Sequence, residues 1–195
     1  RDYNHPCIIT WVPLNESWGV RNIYADDEQQ KFACALYYMI KALDNTRLVS
    51  TNDGWEQVDT DIVAIHDYTA WSHQLSPIYK DVDQLVKGAP NKFRSLFAKG
   101  YEYKGQPILC TEYGGIAFKK DSGGGNWGYH EAVEDEEEFL RRFEDITRAF
   151  RSMEYIRGYC YTQLTDVFNE VNGLLDMNRK PKVDIEKIAR INSYM

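Results

Sequence analysis

The sequence predicts an α/β fold built on a parallel sheet. Two observations carry this expectation. Short apolar runs alternate with longer segments whose apolar residues recur at three- and four-residue steps. The short runs are apolar throughout rather than at every second position, the pattern of strands covered on both faces. At 195 residues, with 43% hydrophobic residues, the chain is sized for one domain.

The first run is Cys7 to Val12, ended by Pro13. Asp26 to Leu43 then reads as a helix, with Phe32, Leu36, Met39, Ile40 and Leu43 as its buried stripe and acidic residues at its start. Arg47 to Thr51 is the second strand, followed by the turn signal Asn52-Asp53-Gly54. Ile62 to Ile65 is the third. Tyr79 to Val86 and Lys92 to Lys99 read as two helical pieces separated by Gly88-Ala89-Pro90. Pro107 to Thr111 is the fourth strand, and Asp121 to Asn126, with three consecutive glycines, is a surface loop. Glu134 to Met153 is a strong helix whose apolar face is Phe139, Leu140, Phe143, Ile146, Phe150 and Met153. Ile156 to Tyr161 is the fifth strand, and Val183 to Tyr194 is a last helix entered after Pro181. The order is that of right-handed βαβ units.

Composition narrows the function. A net charge of −7 lacks the basic footprint of a nucleic-acid binder. The longest apolar stretch, Phe32 to Ile40, is too short to span a bilayer. Cys7, Cys34, Cys110 and Cys160 show no metal-site spacing and read as small buried thiols. Reduced thiols lean toward a cytoplasmic setting without fixing one.

In parallel α/β folds reactive groups collect where strands end. The residues following the five runs are Asn15-Glu16; Asn52, Asp53 and Trp55; His66, Asp67 and Tyr68; Glu112 and Tyr113; and Gln163 and Asp166. No glycine-rich phosphate loop follows a strand, which argues against a nucleotide site. Glu16 and Glu112 stand out. Two carboxylates on different strands suit cleavage of a glycosidic bond, one protonating the leaving oxygen and the other attacking the sugar or activating water. On spacing alone, two glutamates at ordinary loop positions explain the pattern better. In their plainest reading Trp55 is a rim aromatic packing on a loop and His66 a hydrogen-bonded core histidine. No His/Glu cluster demands a divalent cation, so neither metal nor cofactor is expected.

His5 to Ser17, with the core Thr10-Trp11-Val12-Pro13-Leu14-Asn15-Glu16, resembles the acid/base segment of glycoside hydrolase family 2. Pro107 to Gly115, containing Thr111-Glu112-Tyr113-Gly114-Gly115, resembles that family's nucleophile segment. Gly158 to Asp166, Glu170 to Leu174 and Arg179 to Lys182 resemble its eighth strand and exit. The ordered matches span nearly the whole chain. The resemblance implies a (β/α)8 TIM barrel of which about strands 4 to 8 are present. Residues 1–195 then form the C-terminal portion of a catalytic domain. It implies a retaining beta-glycosidase of the galactosidase or glucuronidase kind, with Glu16 as acid/base and Glu112 as nucleophile. Asn15 would hold the 2-hydroxyl, His66 and Tyr68 would contact the sugar, and Trp55 would stack on sugar or aglycone. One departure stands at Thr162, where well-known galactosidases and glucuronidases carry a platform tryptophan; it bears on sugar identity.

Further expectations follow. The isolated segment should have little or no turnover and should expose apolar edges that favour homo-oligomers. The competing readings are a carbohydrate-binding or catalytically inactive barrel module, and an unrelated α/β protein with coincidental glutamates.

Overall fold

A computed structural model describes residues 1–121 and 124–193. Residues 122 and 123 of the expected glycine loop, and Tyr194 of the expected last helix, lie outside them. The chain divides into two units: Arg1–His66, Ser76–Thr111 and Tyr155–Gly158 form the first, and Asp67–Leu75, Glu112–Glu154 and Tyr159–Met195 the second.

The first unit begins with two short parallel ladders. β1 (Thr10–Trp11) pairs with β3 (Leu48–Val49), and β2 (Leu14–Asn15) with β4 (Asn52–Asp53). Both ladders share one register, so they are a single strand pair interrupted at Pro13, which has no N–H to give. This revises two expectations. The first strand resumes after Pro13 rather than ending there, and Asn52-Asp53 is ladder rather than turn.

Helix α1 (Asp27–Leu43) joins the two halves of the pair. Asp26 caps it, its carboxylate accepting from the backbone N–H of Glu28 and Gln29. The expected buried stripe is not what the helix buries. Phe32, Met39 and Leu43 are exposed, whereas Gln30 and Ala33 are buried. Gln30 is tolerated there because its amide donates to the carbonyls of Ile23, Tyr24 and Lys99. Ala33 packs with Val20, Ile23, Val58 and Ala98 in the unit's core.

β5 (Val63–Asp67) is buried at every residue, as its continuous apolarity predicts, and it extends through His66 and Asp67. With β6 (Ile108–Gly114) and β7 (Ile156–Thr162) it forms a sheet of order β5-β6-β7. The unit boundary falls inside β6 after Thr111 and inside β7 after Gly158. β7 has no fully buried residue, contrary to the expectation of a strand covered on both faces.

The segment before β6 departs furthest from prediction. Only short turns form at Pro77–Lys80 and at α2 (Val82–Leu85). Lys92–Lys99 is not helical. Lys92 is left-handed (φ 67°), and Ser95 and Leu96 accept from the N–H groups of Glu56 and Gln57. Leu96, Phe97 and Ala98 are buried in succession, which an extended segment allows and a helix flank does not.

In the second unit, α3 (Glu136–Ser152) matches its prediction closely. Asp135 caps it, and Phe139, Phe143, Ile146 and Phe150 are buried. Phe139 and Phe143 pack with Ile116, Phe118 and Val133, and with Val183 and Ile188 at α4 (Ile185–Asn192). The buried Lys182 ammonium is held by Asp166 and Asp121, 3.0 and 3.1 Å away. The cysteine expectation holds only at Cys110; Cys7 and Cys160 are exposed and Cys34 is half-buried. Cys7 lies in a turn before β1, and Cys160 is on an outward position of the open strand β7. Among the described residues no helix is long and apolar enough to cross a membrane.

Candidate active site

The six residues singled out by sequence fall into two constellations, one in each unit.

Asn15, Glu16, Trp55 and His66 belong to the first. Asn15 ends β2 opposite Asp53 and is exposed. The next N–H, that of Glu16, donates to the Asp53 carbonyl at 2.9 Å, extending the ladder by one bond. The chain then turns through two left-handed residues, Glu16 (φ 52°) and Ser17 (φ 59°). Each non-glycine residue held so costs about 1–3 kcal/mol, a strain typical of functional positions. The turn aims the Glu16 carboxylate at His66, whose Nδ1 lies 2.8 Å from Oε1.

His66 is buried in β5, and its other nitrogen, Nε2, lies 3.2 Å from Asp53 Oδ2. Asp53 Oδ1 accepts from the Ser50 and Thr111 hydroxyls, each at 3.1 Å. Two ring nitrogens facing two carboxylates require a proton in each contact. Either the imidazole carries both, or one carboxyl group shares the load. The imidazole thus bridges the Glu16 and Asp53 carboxylates. Gly54 makes room for the ring: a Cβ there would lie 2.8 Å from His66 Cγ. Trp55 meets His66 edge-on, 5.8 Å between ring centroids. Its Nε1 is buried without a hydrogen-bond partner among the described residues.

Glu112 and Tyr68 belong to the second. Glu112 sits within β6 rather than after it, half-buried, and the Tyr68 hydroxyl donates to its Oε2. Burial first, then the Glu112 charge and hydrogen bonds to Glu112 and Tyr129, push the Tyr68 phenol far above its usual range; a bond with Thr162 works weakly against them. Tyr68 thus keeps its proton, and a phenol donating to a carboxylate favours the charged carboxylate. Tyr129 lies flat on Tyr68, 3.4 Å between centroids and 4° between planes, and Trp127 meets Tyr129 edge-on at 5.2 Å. Gly115 (φ 62°) admits this stack, since a Cβ there would come within 2.3 Å of the Tyr129 ring.

Asp53 and Tyr129 were not predicted as site residues. Asp53 stands among the polar residues at the strand ends, where the Asn-Asp-Gly signal reads as a turn. Tyr129 has only its aromatic neighbourhood to mark it.

A family model described as "Glycosyl hydrolases family 2, TIM barrel domain" matches residues 1–190. The chain belongs to glycoside hydrolase family 2. Membership removes the reading of an unrelated α/β protein. Solved family structures share the fold. A GH2 beta-galacturonidase from Eisenbergiella tayi bound to galacturonate is 22% identical with a TM-score of 0.64, the match covering 99% of this chain and 34% of that one. A beta-D-glucuronidase from Dictyoglomus thermophilum is 17% identical with a TM-score of 0.65, over 100% and 33%. A Bifidobacterium dentium beta-glucuronidase complexed with coumarin-3-O-glucuronide is 19% identical with a TM-score of 0.62, over 100% and 32%. The chain thus spans about a third of the solved chains it matches. A search of curated proteins found no match.

Proposed function

We propose that residues 1–195 are the C-terminal part, about strands 4 to 8, of the catalytic barrel of a longer retaining beta-glycosidase. Glu16 is its general acid/base and Glu112 its nucleophile. The observation that carries this reading is the contrast between the two carboxylates. Glu16 adjoins an imidazole and, through it, a second carboxylate. Glu112 accepts from a phenol that keeps its proton.

That contrast fits double displacement. Glu112 attacks the anomeric carbon as the glycosidic C–O bond breaks, and Glu16 gives its proton to the leaving oxygen. Water, losing a proton to Glu16, then attacks the same carbon and frees Glu112. Asn15 binds the 2-hydroxyl. Trp55 lines the sugar, and Tyr68 both contacts the sugar and steadies Glu112, whereas His66, buried with both ring nitrogens bonded, supports Glu16 in place of the expected sugar contact. The uronides in the names of the solved relatives set the substrate classes to try alongside galactosides: terminal beta-linked galacturonides and glucuronides.

A panel of nitrophenyl beta-galactosides, glucuronides, galacturonides, mannosides and glucosides on the full-length polypeptide tests the reaction. A 2-deoxy-2-fluoro sugar followed by peptide mapping tests the nucleophile: the label is expected on Glu112, and a label elsewhere reassigns it. Retaining pairs sit about 5 Å apart. The alternative, a carbohydrate-binding module with the same residues, is separated by Glu16→Gln and Glu112→Gln. These abolish turnover in a hydrolase and spare sugar affinity in a binder. The exposed Ile9, Phe32, Met39 and Leu43 support homo-oligomers of the isolated segment. Size-exclusion chromatography should show concentration-dependent association, and a robust monomer would count against it.

A further inference from the structure

The left-handed turn at Glu16 and Ser17 is braced from one side by a buried polar network that the reaction itself does not use. Ser17 is buried. Its N–H donates to Asn52 Oδ1 at 2.9 Å, and its hydroxyl donates to Glu56 Oε2 at 2.6 Å. Asn52, fully buried in β4, returns a bond from Nδ2 to Ser17 Oγ at 3.0 Å and gives another to the Trp55 carbonyl at 2.8 Å. Glu56 is 3% exposed and itself left-handed (φ 48°). Its charge is met by Arg94, whose Nη1 lies 3.0 and 3.2 Å from the two carboxylate oxygens. A buried carboxylate without such a cation would be costly, and a hydroxyl donating to a charged carboxylate is among the stronger neutral-to-ion bonds.

We infer that Ser17, Asn52, Glu56 and Arg94 are positioning residues that hold the Glu16–Ser17 turn left-handed and so keep the Glu16 carboxylate on His66. Each brace is fixed to the backbone elsewhere: Asn52 to the parallel ladder, Glu56 to the Ser95 carbonyl through its own N–H. The turn therefore cannot relax without breaking a bond whose partner is immobile. The importance of the aim rests on reading Glu16 as the acid/base, but the aim itself is measurable without turnover.

The test uses the 195-residue chain and proton–nitrogen NMR of its histidine rings. His66 is buried whereas His5, His73 and His130 are exposed, so its ring N–H is the slowly exchanging one. The variants are Ser17→Ala, Arg94→Met and Arg94→Lys. The wild type and Arg94→Lys should show the protected His66 N–H. Ser17→Ala and Arg94→Met should exchange it at least about tenfold faster, the scale of one lost charge-assisted bond, with the amides of α1 and β5 unmoved. If Ser17→Ala does not fold, Arg94→Met decides, because the Arg94 side chain is 41% exposed. An unchanged His66 signal in folded Arg94→Met overturns the inference, as does loss in Arg94→Lys equal to that in Arg94→Met. Normal kinetics in a Glu16→Ala parent enzyme would instead sink the acid/base assignment and leave this result standing.

Discussion

Glu16 and Glu112 are the same side chain held by opposite devices. Glu16 lies just past a strand, on a left-handed turn, with a buried imidazole for company. Glu112 lies inside a regular strand, with a tyrosine that keeps its proton. The first environment sets an imidazole between two carboxylates, and the second sets a single phenol donor on one. Protonation behaviour is set by what each group is bonded to, and the backbone geometry decides which partners are in reach.

The largest test of this contrast is removal of each carboxylate in the full-length enzyme. Glu112→Ala should lose the most activity and regain a product of inverted configuration with azide. Glu16→Ala should lose about 10²–10⁴-fold and give a retained azide product. Identical azide products would erase the distinction. Next comes Tyr68→Phe, which removes one bond to a charged group and should lower kcat about 10–100-fold. An unaffected kcat would mean that the phenol only packs.

A smaller effect should separate the two scaffolds. Gly54→Ala pushes a methyl into His66, and Gly115→Ala pushes one into Tyr129; both also put alanine at positive φ (102° and 62°). Each should cost about 1–3 kcal/mol and lower Tm by several degrees. Gly54→Ala should perturb the His66 resonance, and Gly115→Ala the tyrosine signals. The smallest effect appears at high pH. Burial, then the Asp81 charge, raises Tyr155 from 10 to about 12, and burial also raises Tyr68 and Tyr161. Their contribution to stability is whole below pH 10 and is lost as pH rises through the folded-state values. Ionisation of these three phenols, isolated as the ultraviolet difference between the wild type and their Tyr→Phe variants, should therefore coincide with unfolding above pH 10 rather than precede it.

Where a helix buries one apolar stripe, the sequence declares it. α3 reads correctly because Phe139, Phe143, Ile146 and Phe150 all face one core. α1 misleads because Phe32, Met39 and Leu43 of its apolar stripe stay exposed, Leu36 and Ile40 are only half-buried, and a glutamine satisfied by three carbonyls goes inside. Lys92–Lys99 misleads because pairing with Glu56 and Gln57 overrides a helical pattern. At the candidate site, Asn15, Glu16, His66, Tyr68 and Glu112 are legible as polar residues at strand ends. Asp53 is visible at a strand end but reads as part of a turn, and the Ser17–Glu56–Arg94 brace is not legible, since it joins residues about 40 positions apart that only folding brings together. Such long-range polar pairs carry no periodic signal.

The uneven exposure of the four cysteines gives the molecule a built-in pair of chemical handles. Cys7 belongs to the first unit and Cys160 to the second, and both thiols are exposed while Cys110 is buried. A maleimide fluorophore on each, with Cys34 replaced by serine, would report separately on the local surroundings of each unit, with no new cysteine introduced.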